Sequence, residues 1–198
     1  MRIPTPDEIR ALHEKYAPSP EALERVLGHC EIVWEVARGL LERYEGEIDR
    51  ELVRAGCLLH DIGVYRLAGP EDGPGREHYI RHGILGHAAL RAEGFPETLC
   101  RFASCHTGVG LSREDVLRQE LPLPPADYLA VTPEERLVMY ADKFHSKSRP
   151  PRFVAPDTYA VEVGRFGADK TVEFLRMREE FGEPGLAGLA GRYGHRLT

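Results

Sequence analysis

The chain has 198 residues, 42% apolar and 29% charged, with a net charge of −6 at pH 7 and a pI near 5.9. That length supports a single domain over 1–198 with a sizeable core, and the acidic balance excludes bulk, sequence-blind nucleic-acid binding, which needs a basic surface. No run of ~18 apolar residues is present, so no membrane span is expected, and the N-terminus MRIPTPDEIRALHEKY lacks the apolar region of a signal peptide, which predicts a cytoplasmic protein.

Helical period dominates the chain. Ser19 is a candidate N-cap, with Pro20 at the first helical position and Glu21 in the first turn. From there Leu23, Val26, Leu27, Cys30, Val33, Val36, Ala37, Leu40 and Leu41 form one wide apolar face, predicting a helix over 20–44. Further helices are predicted over about 48–62, ended by Gly63; over 78–93, closed by Gly94; from Pro96 to His106; and briefly over 112–120. Another starts at Thr132-Pro133 and runs to about His145, and a last amphipathic one covers 168–181. No period-two alternation is long enough for a sheet. The fold class that follows is all-α, a bundle of roughly six to eight helices.

Three stretches read as loops: the Gly- and Pro-rich 68–78, the Pro-rich 120–133 and the basic, Pro-rich 146–159. The segment from Gly182 onward, with a glycine at every third position, reads as a loosely ordered tail. The part carrying the motifs spans about 20–150, with a C-terminal helix and tail over 151–198. Cys30, Cys57, Cys100 and Cys105 form no C-x-x-C pair and lie in apolar stretches. They read as reduced, buried thiols.

"CLLHDIGVYR" (57–66) poses the chemical question. A helix that lays down Cys57, Leu58 and Leu59 for a core ends on His60-Asp61, a pair that is costly to bury without partners. The same inward placement recurs. His29 lies three residues after Val26, His82 four before Gly86, His106 four after Phe102 and Asp142 four after Val138. Each alone reads most simply as a hydrogen-bonded core residue. Together they read as one metal site, because four imidazoles and two carboxylates suit one or two divalent ions: Mn, Fe, Co, Ni, Zn or Mg. Adjacent helical residues point ~100° apart, so His60 is assigned to one ion and Asp61 to a bridging position.

These residues carry a resemblance. HDIG at 60–63, with His29 before it and Asp142 after it, resembles the HD superfamily of metal-dependent phosphohydrolases. RHGILGHAAL (81–90), CHTGVG (105–110) and YADKF (140–144) are similar to segments of its dinuclear branch, which includes the HD-type diadenosine tetraphosphate hydrolases. The resemblance covers about 25–150. It implies an HD-domain helical bundle and an enzyme that hydrolyses a phosphate ester or anhydride with a metal-activated hydroxide. It implies His29, His60, Asp61 and Asp142 as the shared metal site, His82 and His106 completing a second position, and Asp61 and His60 as catalytic. A small phosphorylated molecule, a nucleotide above all, is the implied partner, and a homodimer is an open expectation because dimers are common among similar proteins. Two departures leave the substrate open. Val64 follows Gly63 where that branch often has lysine close by, and KFHSKSRPPR follows Asp142.

Cationic groups near the motifs are assigned to phosphate: Lys143, Lys147, Arg149 and Arg152 after Asp142, and Arg81 beside His82. His145, three residues after Asp142, is a candidate for substrate contact, for acid–base work or for supporting a ligand. His87, five after His82, faces away from the metal side. Tyr65 and Arg66 are candidates for the pocket mouth. Two rival readings share these residues: a di-iron HD-type oxygenase and a non-catalytic nucleotide-binding regulatory module.

Overall fold

The computed structural model describes residues 1–67 and 76–198, with Arg76 and Glu77 described at the backbone only. Helix starts follow from side chains that satisfy the free N–H groups of a first turn. Thr5 opens α1 (Pro6–Tyr16) with a capping box: its hydroxyl accepts from Glu8 N–H, and the Glu8 carboxylate accepts from Thr5 N–H. Ser19 caps α2 (Pro20–Leu41), and Asp49 Oδ1 accepts from the N–H groups of Glu51 and Leu52 to start α3 (Arg50–Leu59). The chain then tightens into a 3-10 turn over Ile62–Arg66. A second 3-10 turn, Arg76–Arg81, leads into α4 (His82–Ala92), followed by α5 (Glu97–Ser104), α6 (Arg113–Arg118) and α7 (Pro133–Asp142).

After α7 come two-residue strands β1 (His145–Ser146) and β2 (Arg152–Phe153), then α8 (Pro156–Val163), α9 (Ala168–Phe181), α10 (Leu186–Tyr193) and β3 (Arg196–Leu197). β2 lies between the other two strands, antiparallel to β1 and parallel to β3.

The helix α2 packs on α3 and α7, while α4 packs on α5 and on the turn after α3. Val26, Val33, Leu40, Val53, Leu59, Leu137 and Val138 are fully buried where α2, α3 and α7 meet. Burying each such side chain contributes roughly 1.5–3 kcal/mol. One apolar cluster takes side chains from Ile9 in α1 to Leu189 in α10.

The all-α class holds, and several details differ from the sequence expectation. The described residues contain ten α-helices rather than six to eight, because α1, α8 and α10 are not delimited by the apolar pattern. The tail from Gly182 is ordered into α10 and β3 despite its glycines, because Leu186 and Leu189 bury on the core. The predicted helix over 48–62 stops at Leu59, and that over 78–93 begins as an α-helix only at His82. The three short strands form a small sheet where none was expected. Residues 68–75 of the predicted Gly/Pro-rich loop lie outside the described residues. All four cysteines are free and buried.

Candidate metal centre

Backbone geometry decides which way the HD pair points. His60 is the C-cap of α3, and Asp61 leaves helical conformation with φ −102° and ψ 8°. This break turns the Asp61 carboxylate across the bundle interior toward α4 and α5. The turn after Asp61 also lies against α4 without side chains between them. A Cβ on Gly63 would sit 2.0 Å from the His82 carbonyl oxygen and 2.3 Å from the Gly86 nitrogen, so only glycine permits this approach. Gly86 is also close, though less so, since a Cβ there would meet the Ala103 Cβ at 2.9 Å.

The result brings all six candidate ligands together. His29 Nε2 lies 3.0 Å from Asp142 Oδ1 and 3.3 Å from Asp61 Oδ2. His60 Nε2 lies 3.3 Å from the same Asp142 oxygen and 3.3 Å from His29 Nε2. On the other side, His82 Nε2 lies 3.5 Å and His106 Nε2 3.7 Å from Asp61 Oδ1. Asp61 therefore separates two imidazole pairs, one oxygen toward each. His60 reaches both groups: with His29 and Asp142, and with Asp61 and His106, it offers donor atoms within 4.8 Å of one another.

Three of the rings have their tautomer fixed by the fold. The Nδ1–H of His60 donates to the Cys57 carbonyl at 2.7 Å, that of His82 to the Tyr79 carbonyl at 2.7 Å and that of His106 to the Ala103 carbonyl at 2.8 Å. In its neutral form each ring turns a bare Nε2 inward, the arrangement that metal-binding histidines require. Burial lowers His29 to about 4, lowers His82, and puts His106 well below the ordinary imidazole range. His60 behaves oppositely: burial disfavours its charge, but Cys30, Asp61 and Asp142 outweigh burial and raise it. Burial would raise Asp61, yet Lys147 and the surrounding imidazoles hold it well below the carboxylate range, so it is ionised at neutral pH.

The residues fit divalent ions on an observation independent of the motif. Asp61 Oδ1 is buried and has no hydrogen-bond partner, which is costly for a carboxylate oxygen unless a cation serves it. The donors are imidazole nitrogens and carboxylate oxygens, suited to first-row divalent ions. Cys30 is not among them, since its Sγ lies 3.9 Å from His60 Nδ1, on the ring's outer side.

A cavity of about 760 Å³ opens over this cluster. Lys143, Lys147, Arg149 and Arg152 line it, together with Tyr79 and Tyr159. Lys147 pairs with Asp61, while Lys143 donates to Asp142 Oδ2 at 2.6 Å and to the His106 carbonyl at 3.0 Å. Arg81 is exposed and does not line the cavity, which corrects its assignment to substrate: the 3-10 turn aims it outward while His82 points in. His145 lines the cavity, but both its ring nitrogens face other imidazoles, His29 Nδ1 at 2.9 Å and His195 Nδ1 at 3.1 Å. That leaves it no free nitrogen for a substrate.

His87 bonds Ser104 Oγ at 3.0 Å, away from the centre, as its position predicts. Tyr65 and Arg66 do not line the cavity. Tyr65 meets His13 Nδ1 at 2.9 Å, and Arg66 stacks over Tyr16. Sequence reasoning missed His13 and His195. His13 Nε2–H donates to the Leu58 carbonyl at 2.7 Å, bracing the end of α3 from behind. Its signal was its place three residues before Tyr16 in a helix with a readable cap.

An all-helical bundle with an interior His/Asp cluster under an open cavity defines the class, and comparison with known proteins agrees. Residues 26–147 match the HD domain family, and the chain belongs to it. An uncharacterized protein of Methanocaldococcus jannaschii, MJ0778, is 43% identical over 122 residues, covering 60% of this chain and 65% of that protein. The tRNA (cytidine(56)-2'-O)-methyltransferase of Picrophilus torridus is 33% identical over 144 residues, 73% of this chain but 38% of that protein. The same-named protein of Thermoplasma volcanium is 32% identical over 121 residues, 61% of this chain and 32% of that protein. The chain thus spans less than two thirds of the length of these relatives. Among solved structures, the HD domain of the L. monocytogenes phosphodiesterase PgpH superposes with a TM-score of 0.56 at 17% identity, covering 93% of this chain and 98% of that one. Its complex with cyclic-di-AMP gives a TM-score of 0.56 at 18% identity, covering 96% and 99%. At these identities the likeness establishes the fold. Among the described residues no helix is long and apolar enough to cross a membrane.

Proposed function

We propose that the chain is a metal-dependent phosphohydrolase that uses two divalent ions and acts on a nucleotide or a related phosphate ester or anhydride. The observation that carries this reading is Asp61, whose two oxygens face two separate imidazole pairs and whose Oδ1 is buried without a partner. His29, His60 and Asp142 would hold one ion with Asp61, and His82 and His106 the other. Bound there, divalent ions supply Lewis-acid charge to a phosphoryl group and lower the pKa of water.

The chain's own groups do the rest. Lys143, Lys147, Arg149 and Arg152 offer charge and donors to phosphoryl oxygens at the cavity wall. Burial raises the Tyr79 and Tyr159 phenols above their usual range, so both stay protonated and can donate. The cavity falls within the ~300–1,000 Å³ common for small-ligand sites, which favours a nucleotide-sized substrate over a polymer. Family membership supports the reading, as does the cyclic dinucleotide held by the PgpH domain. The methyl transfer named for two relatives is not carried over, because the match spans 38% and 32% of those proteins.

The test is a phosphate-release screen with Mn, Co, Fe, Zn and Mg. Substrates are nucleoside phosphates, cyclic dinucleotides and dinucleoside polyphosphates, with Asp61→Asn as control. Turnover abolished by Asp61→Asn supports the proposal. No turnover under any metal, or turnover that survives the substitution, contradicts it.

A further inference from the structure

Three of the four inward histidines have Nδ1 fixed as a donor by a backbone carbonyl, and His29 is the exception. The atom opposite its Nδ1 is His145 Nδ1, 2.9 Å away, and the two rings stack with centroids 5.2 Å apart at 25°. An imidazole nitrogen can donate or accept, so it cannot fix its neighbour's tautomer unless its own is fixed. His145 passes the question on. Its Nε2 faces His195 Nδ1 at 3.1 Å, with those rings stacked at 5.3 Å and 19°.

Only two orders of donors satisfy this chain of three rings. If His195 Nδ1 accepts from His145 Nε2–H, then His145 Nδ1 accepts from His29 Nδ1–H, and His29 turns a bare Nε2 to Asp61 and Asp142. In the reverse order His29 carries its proton on Nε2, where it donates to Asp142 Oδ1 at 3.0 Å and cannot ligate a metal. The side chain at 195 therefore bears on the inner nitrogen of a residue 166 positions earlier in the chain.

The backbone is built to hold it there. Gly194, in the left-handed region at φ 65°, ends α10, and His195 N–H bonds the Ala190 carbonyl at 3.1 Å. β3 pairs beside β2, with Thr198 N–H on the Phe153 carbonyl at 3.0 Å and Ala155 N–H on the Thr198 carbonyl at 2.8 Å.

We propose that His195 is a positioning residue for the metal centre: its Nδ1 accepts from His145 Nε2–H, and through His145 this supports the donor order that leaves His29 Nε2 free for an ion. This rests on the metal reading of the proposed function.

The test uses the full chain and Mn²⁺ alone, with binding followed by the EPR signal of the free ion. His195→Phe keeps a ring for stacking but removes the acceptor. His195→Asn restores an acceptor at nearly the same place. The expected result is a loss of about tenfold or more in affinity for one of two ions in the Phe variant, unchanged unfolding midpoints in the metal-free chains, and near wild-type affinity in the Asn variant. Equal affinity in wild type and Phe overturns the proposal, as does an Asn variant as weak as Phe. A wild-type chain that binds no ion contradicts the proposed function instead. The long-range ¹⁵N–¹H spectrum of the metal-free chain then still decides this inference, because a His29 tautomer unmoved by His195→Phe overturns it.

Discussion

His82 Nε2 and His106 Nε2 lie 2.9 Å apart, while each ring donates its Nδ1–H to a backbone carbonyl. Neutral rings so fixed point two lone pairs at each other, an arrangement that repels unless a proton or a cation lies between. Burial disfavours the proton on both rings. A divalent ion held between them would relieve the contact. An ion at about 1,000 times its Kd stabilises a fold by about 4 kcal/mol, which corresponds to ~10 °C in Tm for a chain of this size. Thermal denaturation with and without Mn²⁺ should show that rise in wild type and a smaller one in His106→Ala. Equal rises in the two would place the ion elsewhere.

Gly63→Ala should unfold the site from its backbone side. The added Cβ meets the His82 carbonyl and the Gly86 nitrogen, neither of which can rotate away. The expected loss is about 3 kcal/mol in urea denaturation. A stability within 0.5 kcal/mol of wild type, ~the scale of a neutral surface change, would contradict this close approach.

Lys147 and Arg81 were equivalent candidates in sequence and separate in the structure. Lys147 is half-buried at the cavity wall and pairs with Asp61, whereas Arg81 is exposed outside it. Steady-state kinetics on an active substrate should show kcat/KM falling about a hundredfold or more in Lys147→Ala, a loss of ~3 kcal/mol of transition-state binding. Arg81→Ala should leave it unchanged. Equal effects would reject the cavity as the reaction site.

His13 gives the fold an acid-sensitive element. It is fully buried, with Nε2–H on the Leu58 carbonyl, and burial lowers it from 6.5 to about 4. The unfolded chain takes up a proton below 6.5 that the fold refuses until about 4, so this contribution is complete above 6.5 and is lost as pH falls through 4. The shift corresponds to about 3 kcal/mol. Unfolding free energies of the chelator-treated chain between pH 7 and 4.5 should slope less steeply in His13→Gln than in wild type. Parallel slopes would remove His13 from the account.

The six interior His and Asp positions were legible because each sits on a helix or within two residues of its end, close enough for the helical spacing to indicate its face. His29 follows Val26 by three residues, and Asp142 follows Val138 by four. A direction for Asp61 different from that of His60 was expected from the ~100° between helical neighbours, whereas the structure turns Asp61 between the imidazole pairs by ending α3 at Leu59. His195 was not legible. Its contact with His145 depends on a two-residue strand, too short to show alternation, after a helix whose glycines lower helix propensity. Arg81 was misplaced because the chain from Arg76 to Arg81 is a 3-10 turn, in which α-helical spacing no longer says which way a side chain points.

The proposed centre would hold two ions with Asp61 between them. Elemental analysis of the chain, purified without chelators and reloaded with Mn²⁺, tests it most directly when wild type is set beside His82→Ala. Close to two ions per wild-type chain and close to one in the variant are expected. One ion in both would contradict it by removing His82 and His106 from the ligands, and none in either would reduce the interior histidines to parts of the core.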